Sequence, residues 1–140
     1  MPRFRKIILS RISRLARSTG GRRLIAWSIT HFDAILPINR LYETDAVLAF
    51  YHPQPAYPLH ILIVPKQPIS NLLSLQNEHA PLLLEFFQTA QNLVRKFNLD
   101  EHGYRLVLNG GKYQDIPQLH FHLISDSNLL KDRNNDENDH

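Results

Sequence analysis

The sequence predicts an α+β domain in which an antiparallel sheet of about four to five strands packs with a long helix, behind an N-terminal helical extension. Three observations predict it. Short segments rich in β-branched and aromatic residues are bounded by proline or glycine turns. Residues 77–97 keep apolar side chains at helical spacing. The order of two strands, long helix and two strands, with tight turns, favours antiparallel pairing. A chain of 140 residues, 43% hydrophobic and 21% charged, fits one folded domain. It has no cysteine, which excludes disulfides, thiolate nucleophiles, iron–sulfur clusters and cysteine zinc sites. No apolar run approaches the roughly 18 residues of a transmembrane segment.

The N-terminus is basic. Residues 1–32 carry eight Lys/Arg and no acid, whereas residues 33–140 carry eight bases against 13 acids, a net of −5. Ile8, Ile12 and Leu15 recur at i, i+4 and i+7, the pattern of a helix with one apolar face. Gly20-Gly21 ends it, giving an extension over 1–21, a domain over 22–128 and a polar, flexible tail over 129–140. The extension fits a packed helix or an organellar presequence, and it could contact an anionic surface. The expected location is cytoplasmic, with an organelle as the alternative.

A mixed apolar pattern predicts a helix over 22–36, ended by Pro37. Ala46–His52 and Leu59–Val64 are strands, separated by Pro53-Gln54-Pro55-Ala56-Tyr57-Pro58, too proline-rich for regular structure. The long helix starts at an Asn77 cap and runs to Phe97, with Ala80, Leu83, Leu84, Phe87, Ala90, Val94 and Phe97 on its apolar face. His102-Gly103 is a turn, Tyr104–Leu108 a strand, Asn109-Gly110-Gly111 a turn, and Gln118–Ile124 the last strand.

The chemistry concentrates on that last strand. Alternation puts Gln118, His120 and His122 on one face, about 7 Å apart, and Leu119, Phe121 and Leu123 on the other. The loop from Asn109 to Asp115 offers backbone N–H groups and an amide to an anion. His60 sits in the strongly apolar Leu59–Val64 strand, where it needs a buried partner or a function. Neutral imidazole is a good nucleophile toward phosphorus, and a hydrogen bond at its second nitrogen fixes the tautomer. On spacing alone, phosphate chemistry, a zinc site of His60, His120 and His122, and structural burial all remain open. His79 and His102 are expected at the surface, and Lys66 as a solvated strand end.

Three stretches, taken together, resemble the histidine-triad (HIT) nucleotide-binding family. Glu43-Thr44-Asp45-Ala46-Val47-Leu48-Ala49-Phe50-Tyr51 is similar to its acidic turn and first sheet strand. Pro58-Leu59-His60-Ile61-Leu62-Ile63-Val64-Pro65-Lys66 resembles its Pro-x-His, hydrophobic run, Pro-Lys segment. Tyr104–Gly111 followed by Gln114-Asp115-Ile116-Pro117-Gln118-Leu119-His120-Phe121-His122 resembles the strand, turn and strand that end in His-x-His-x-His. The resemblance covers about residues 40–125.

It implies a small α+β domain, a two-fold homodimer, and attack on the α-phosphate of a nucleoside phosphate or related small phosphate ester. His120 matches the nucleophile that forms a transient nucleotidyl-imidazole. His122 matches the last triad histidine, on the phosphate oxygens. His60 matches the extra histidine of the neighbouring strand, Asn109 and Gln114 match residues near the phosphate, and Phe50 belongs to the base slot. No cofactor or metal is required, though a divalent cation could accompany a polyphosphate substrate. Three positions depart from the pattern. Gln118 replaces the first triad histidine and cannot shuttle a proton. Asp115 replaces a small hydroxyl residue near the leaving group, and His52 replaces an acid that holds ribose hydroxyls. Binding with little or no turnover, or a histidine metal site, are the alternative functions.

Overall fold

The computed structural model describes residues 40–127. The basic extension, the helix expected over 22–36 and the tail over 129–140 lie outside the described residues. Strands β1 (Arg40–Glu43), β2 (Val47–Tyr51), β3 (Leu59–Pro65), β4 (Arg105–Leu108) and β5 (Phe121–Ser125) form one sheet in the order β1-β2-β3-β5-β4. Every neighbouring pair is antiparallel. The long helix α1 (Ala80–Lys96) and the one-turn helix α2 (Leu99–His102) lie between β3 and β4 in sequence. Among the described residues, no helix is long and apolar enough to cross a membrane.

Alternation along β2, β3 and β5 divides the sheet into two faces. Val47, Ala49, Leu59, Ile61, Ile63 and Leu123 point to one face and join Leu82, Phe86, Ala90, Leu93 and Phe97 in the core. The opposite face carries Phe50, Leu62, His60 and His122, as the registers Phe50↔Leu62 and Leu62↔His122 require. The histidines thus stand on the side of the sheet turned away from α1.

Several expectations change here. Strand β1 was not anticipated: four residues with charged ends give little periodicity, and the strand is set by pairing with β2, with a bulge between Arg40 and Tyr42. Thr44 tightens the connection by accepting from the Ala46 and Val47 N–H groups. Helix α1 starts later than an Asn77 cap predicts, because Asn77–His79 forms a separate 3-10 turn and Pro81 occupies the first helical turn. Its buried stripe is Leu82, Phe86, Thr89, Ala90 and Leu93. Leu84 and Phe87, expected in the core, are 60% and 52% exposed. The helix is rich in leucine and phenylalanine, so two overlapping stripes fit the spacing. Packing on the sheet selects one of them. Asn98 ends the helix in the left-handed conformation (φ 52°), which asparagine tolerates.

His79 is buried, not at the surface. Its Nδ1 accepts from the Gln76 N–H (2.9 Å), so it fastens the 3-10 turn. Lys66 meets Glu43 at 2.7 Å, tying the end of β3 to β1.

Candidate active site

Strand β5 begins at Phe121, so Gln118 and His120 precede it rather than sharing one of its faces with His122. Local hydrogen bonds explain the late start. The Gln118 N–H turns back to the Ile116 carbonyl (2.8 Å), and the Leu119 N–H reaches the Ile69 carbonyl (2.6 Å). The ladder with β3 starts only at Ile63↔Phe121. The bent approach still delivers His120 beside His122, with ring centroids 4.9 Å apart.

Four imidazoles gather. His60 and His122 have centroids 5.1 Å apart, and His60 Nε2 lies 2.8 Å from His122 Nδ1. His52 lies one residue past β2, with its N–H on the His60 carbonyl (2.8 Å). Its ring stacks on that of His60 at 4.2 Å.

Fixed backbone donors and acceptors decide which nitrogen of each ring carries the proton. The Ala56 N–H donates to His60 Nδ1 (3.1 Å), so the proton of neutral His60 is on Nε2. That Nε2–H donates to His122 Nδ1, which places the His122 proton on Nε2, facing the Asn109 side-chain amide at 3.4 Å. The Asn109 oxygen is then the matching acceptor, since an amide can be turned end for end. The Gln54 N–H donates to His52 Nδ1 (3.0 Å), which puts the His52 proton on Nε2 as well. His120 is the reverse case: its Nδ1 donates to the Gln118 carbonyl (2.7 Å), leaving a lone pair on Nε2.

Burial, helped by neighbouring imidazoles, favours the neutral form of His60, His122 and His52. Burial, then the neighbouring His52, pushes His60 down to about 4. Burial, then His120, His60 and His52, pushes His122 down to about 4. His52 is lowered too, by burial and by His120, with the Asp115 carboxylate acting in the opposite sense.

The structure therefore brings together His52, His60, His120, His122 and Asn109 from the expected set. Phe50 is buried on the same sheet face. Asp115 is exposed on the loop, near enough for its charge to act on His52. Two side chains have other work. Gln114 donates its amide to the Ser70 and Ile116 carbonyls (2.7 and 2.8 Å), holding the loop to the segment after β3. Gln118 is 1% exposed and donates to the Gln67 carbonyl (3.1 Å), so its side chain braces the backbone that presents His120.

Sequence reasoning passed over the main-chain groups of Gln54 and Ala56. The signal lay in the proline spacing. Pro53, Pro55 and Pro58 have no N–H, and the Gln54 and Ala56 N–H groups between them turn back onto imidazoles.

A nitrogen from each of His52, His60 and His122 lies within 4.8 Å of the other two. The expected zinc set used His120 in place of His52. The donor chemistry of the observed trio disfavours a cation. Backbone N–H groups hold Nδ1 of His52 and His60, so their Nε2 atoms carry protons, and a metal would need both rings to turn.

The family model of the HIT domain matches residues 35–129. An uncharacterized HIT-like protein from Synechococcus elongatus is 41% identical over 96 residues, covering 67% of this chain and 83% of that protein. The purine nucleoside phosphoramidase of Escherichia coli is 31% identical over 91 residues, covering 64% of this chain and 76% of its own. Among solved structures, a HIT family hydrolase from Legionella pneumophila superposes with a TM-score of 0.66 at 29% identity, covering 71% of this chain and 89% of that one. The sheet order, the two-histidine approach to β5 and the 95-residue profile match, which residues 35–129 delimit, agree on one conclusion: the chain belongs to the HIT domain family.

Proposed function

We propose that this chain is a nucleotide-binding phosphohydrolase or nucleotidyl transferase that works through a transient nucleotidyl-imidazole on His120. The observation that carries the reading is the His120 tautomer. With Nδ1–H held on the Gln118 carbonyl at 2.7 Å, the Nε2 lone pair is the free, nucleophilic end of the ring. The E. coli relative, a purine nucleoside phosphoramidase, supports a nucleoside phosphate linked to an amine as one substrate class.

In this mechanism His120 Nε2 attacks the α-phosphorus, and the bond to the leaving group breaks with its electron pair going to the departing nitrogen or oxygen, which takes a proton from solvent because Gln118 is an amide. His122 Nε2–H, exchanging its long contact with Asn109 (3.4 Å) for a phosphate oxygen, acts with the loop N–H groups after Asn109 to hold the phosphate oxygens as charge develops. The His60–His122 hydrogen bond keeps His122 a donor throughout. Water then attacks phosphorus, losing a proton to solvent as the phosphorus–Nε2 bond breaks, which releases the nucleoside monophosphate and restores the neutral ring. An acceptor hydroxyl in place of water would make the same step a transfer. Every group used is a side chain or main-chain N–H of this chain, so no cofactor enters the scheme.

The test is product release from a panel of nucleoside phosphoramidates, dinucleoside polyphosphates and nucleotide sugars, with His120→Ala alongside. We expect turnover of at least one panel member and a loss on the order of 10³-fold or more in the variant. Full turnover by His120→Ala would overturn the assignment. Binding of nucleoside monophosphate without turnover of any panel member would favour the alternative of a binding module.

A further inference from the structure

The mechanism above uses three of the four clustered imidazoles and leaves His52 idle. Its ring is nevertheless held with care. The Gln54 N–H, between two prolines, fixes Nδ1 as an acceptor (3.0 Å), and stacking on His60 at 4.2 Å fixes the plane. His52 also lies 6.0 Å from His122, nearly parallel to it (24°). What remains is an Nε2–H to which no described residue offers an acceptor, standing beside the phosphate-holding His122. An acid at this place would accept from hydroxyls. A fixed N–H does the opposite and seeks an acceptor.

We propose that His52 Nε2–H is a second anion subsite, selecting substrates with a further phosphate group next to the phosphate that His120 attacks. The proposal rests on the nucleotide reading above. An anionic oxygen is the best match for such a donor, because a charge-assisted hydrogen bond is about twice as strong as a neutral one. Burial, then His120, keeps the ring neutral, and the Gln54 N–H occupies Nδ1, so the contact is made by the single Nε2–H of a neutral imidazole. The further phosphate can come from two places: the phosphoanhydride chain or the sugar.

Calorimetry on the full chain separates these. The probes are adenosine 5′-monophosphate, adenosine 5′-diphosphate and adenosine 3′,5′-bisphosphate, each titrated into wild type, His52→Phe, His52→Asp and His52→Gln. His52→Phe keeps a ring to stack on His60 but has no N–H. His52→Gln keeps a donor. Wild type is expected to bind one doubly phosphorylated probe about tenfold or more tighter than the monophosphate. A preference for the diphosphate places the group on the anhydride chain, and one for the bisphosphate places it on the sugar. The preference should collapse toward one in His52→Phe and His52→Asp and survive in part in His52→Gln. Two loss variants guard against one failing to fold. Equal affinity for all three probes in wild type would overturn the subsite, as would a preference that persists in either folded loss variant. Absence of monophosphate binding in wild type would overturn the nucleotide reading as well, so the two failures are distinguishable.

Discussion

The lowered pKa values of His60 and His122 have a measurable consequence. Both have native values pushed to about 4, against about 6.5 for an unperturbed imidazole. Between those values the unfolded chain binds more protons than the native one, so stability falls as pH drops through that window and is retained above it. Each ring contributes on the order of 1–2 kcal/mol of loss by pH 5. Urea midpoints at pH 7 and pH 5 check this: the midpoint should fall, and His60→Asn should flatten the dependence. A wild-type midpoint unchanged from pH 7 to 5 would contradict the neutral-ring account. At this scale the sequence was legible where chemistry is carried by residue type. His60, His120 and His122 stand out as imidazoles among apolar neighbours in the sequence. Protonation was not legible, because it is set by main-chain N–H groups of Gln54 and Ala56 and by the Gln118 carbonyl, whose directions depend on the fold.

Helix α1 shows the corresponding lesson for elements. Its existence follows from helical spacing, but its buried face does not, since leucine and phenylalanine spread beyond a single stripe. The core side is Leu82, Phe86, Thr89, Ala90 and Leu93. Phe86 is 2% exposed and meets Phe121 edge-on at 5.1 Å. Phe86→Ala should therefore destabilise the fold by about 3–5 kcal/mol, and Leu84→Ser by no more than about 0.5 kcal/mol. Denaturant unfolding of the two variants reads this directly. The reverse order would mean that the helix packs by its other stripe. Strands β2, β3 and β4 were legible to within a residue or two because proline and glycine bound them. The start of β5 was not. Pro117 and the Leu119 N–H bond to Ile69 bend residues 118–120 out of the ladder, and alternation alone carries no sign of that.

At the scale of the molecule, the described residues form a single sheet whose end strands are β1 and β4. Strand β4 pairs only with β5 among the described residues, so one of its edges offers unpaired backbone groups. Pairing of two copies along β4 would satisfy them and continue the sheet, in keeping with the two-fold dimer that the family resemblance implied. Light scattering on a sizing column should give twice the 16.3 kDa chain mass. A monomer at micromolar concentration would contradict it. The overall plan was legible because strand, long helix and strand follow one another with tight turns. Strand β1 was not, since it exists through its pairing with β2 rather than through a pattern of its own.

The central claim is that His120 Nε2 forms a bond to phosphorus. The measurement that tests it most directly is rapid acid- or base-quenched mass spectrometry of the intact chain during turnover of a nucleoside phosphoramidate. The account predicts a transient mass increase of one nucleotidyl group, stable in base and lost in acid as a phosphorus–nitrogen bond requires. Peptide mapping should place it on His120, and it should be absent from His120→Ala. Turnover with no adduct, in single-turnover conditions that would let it accumulate, or an adduct on another histidine, would contradict the account.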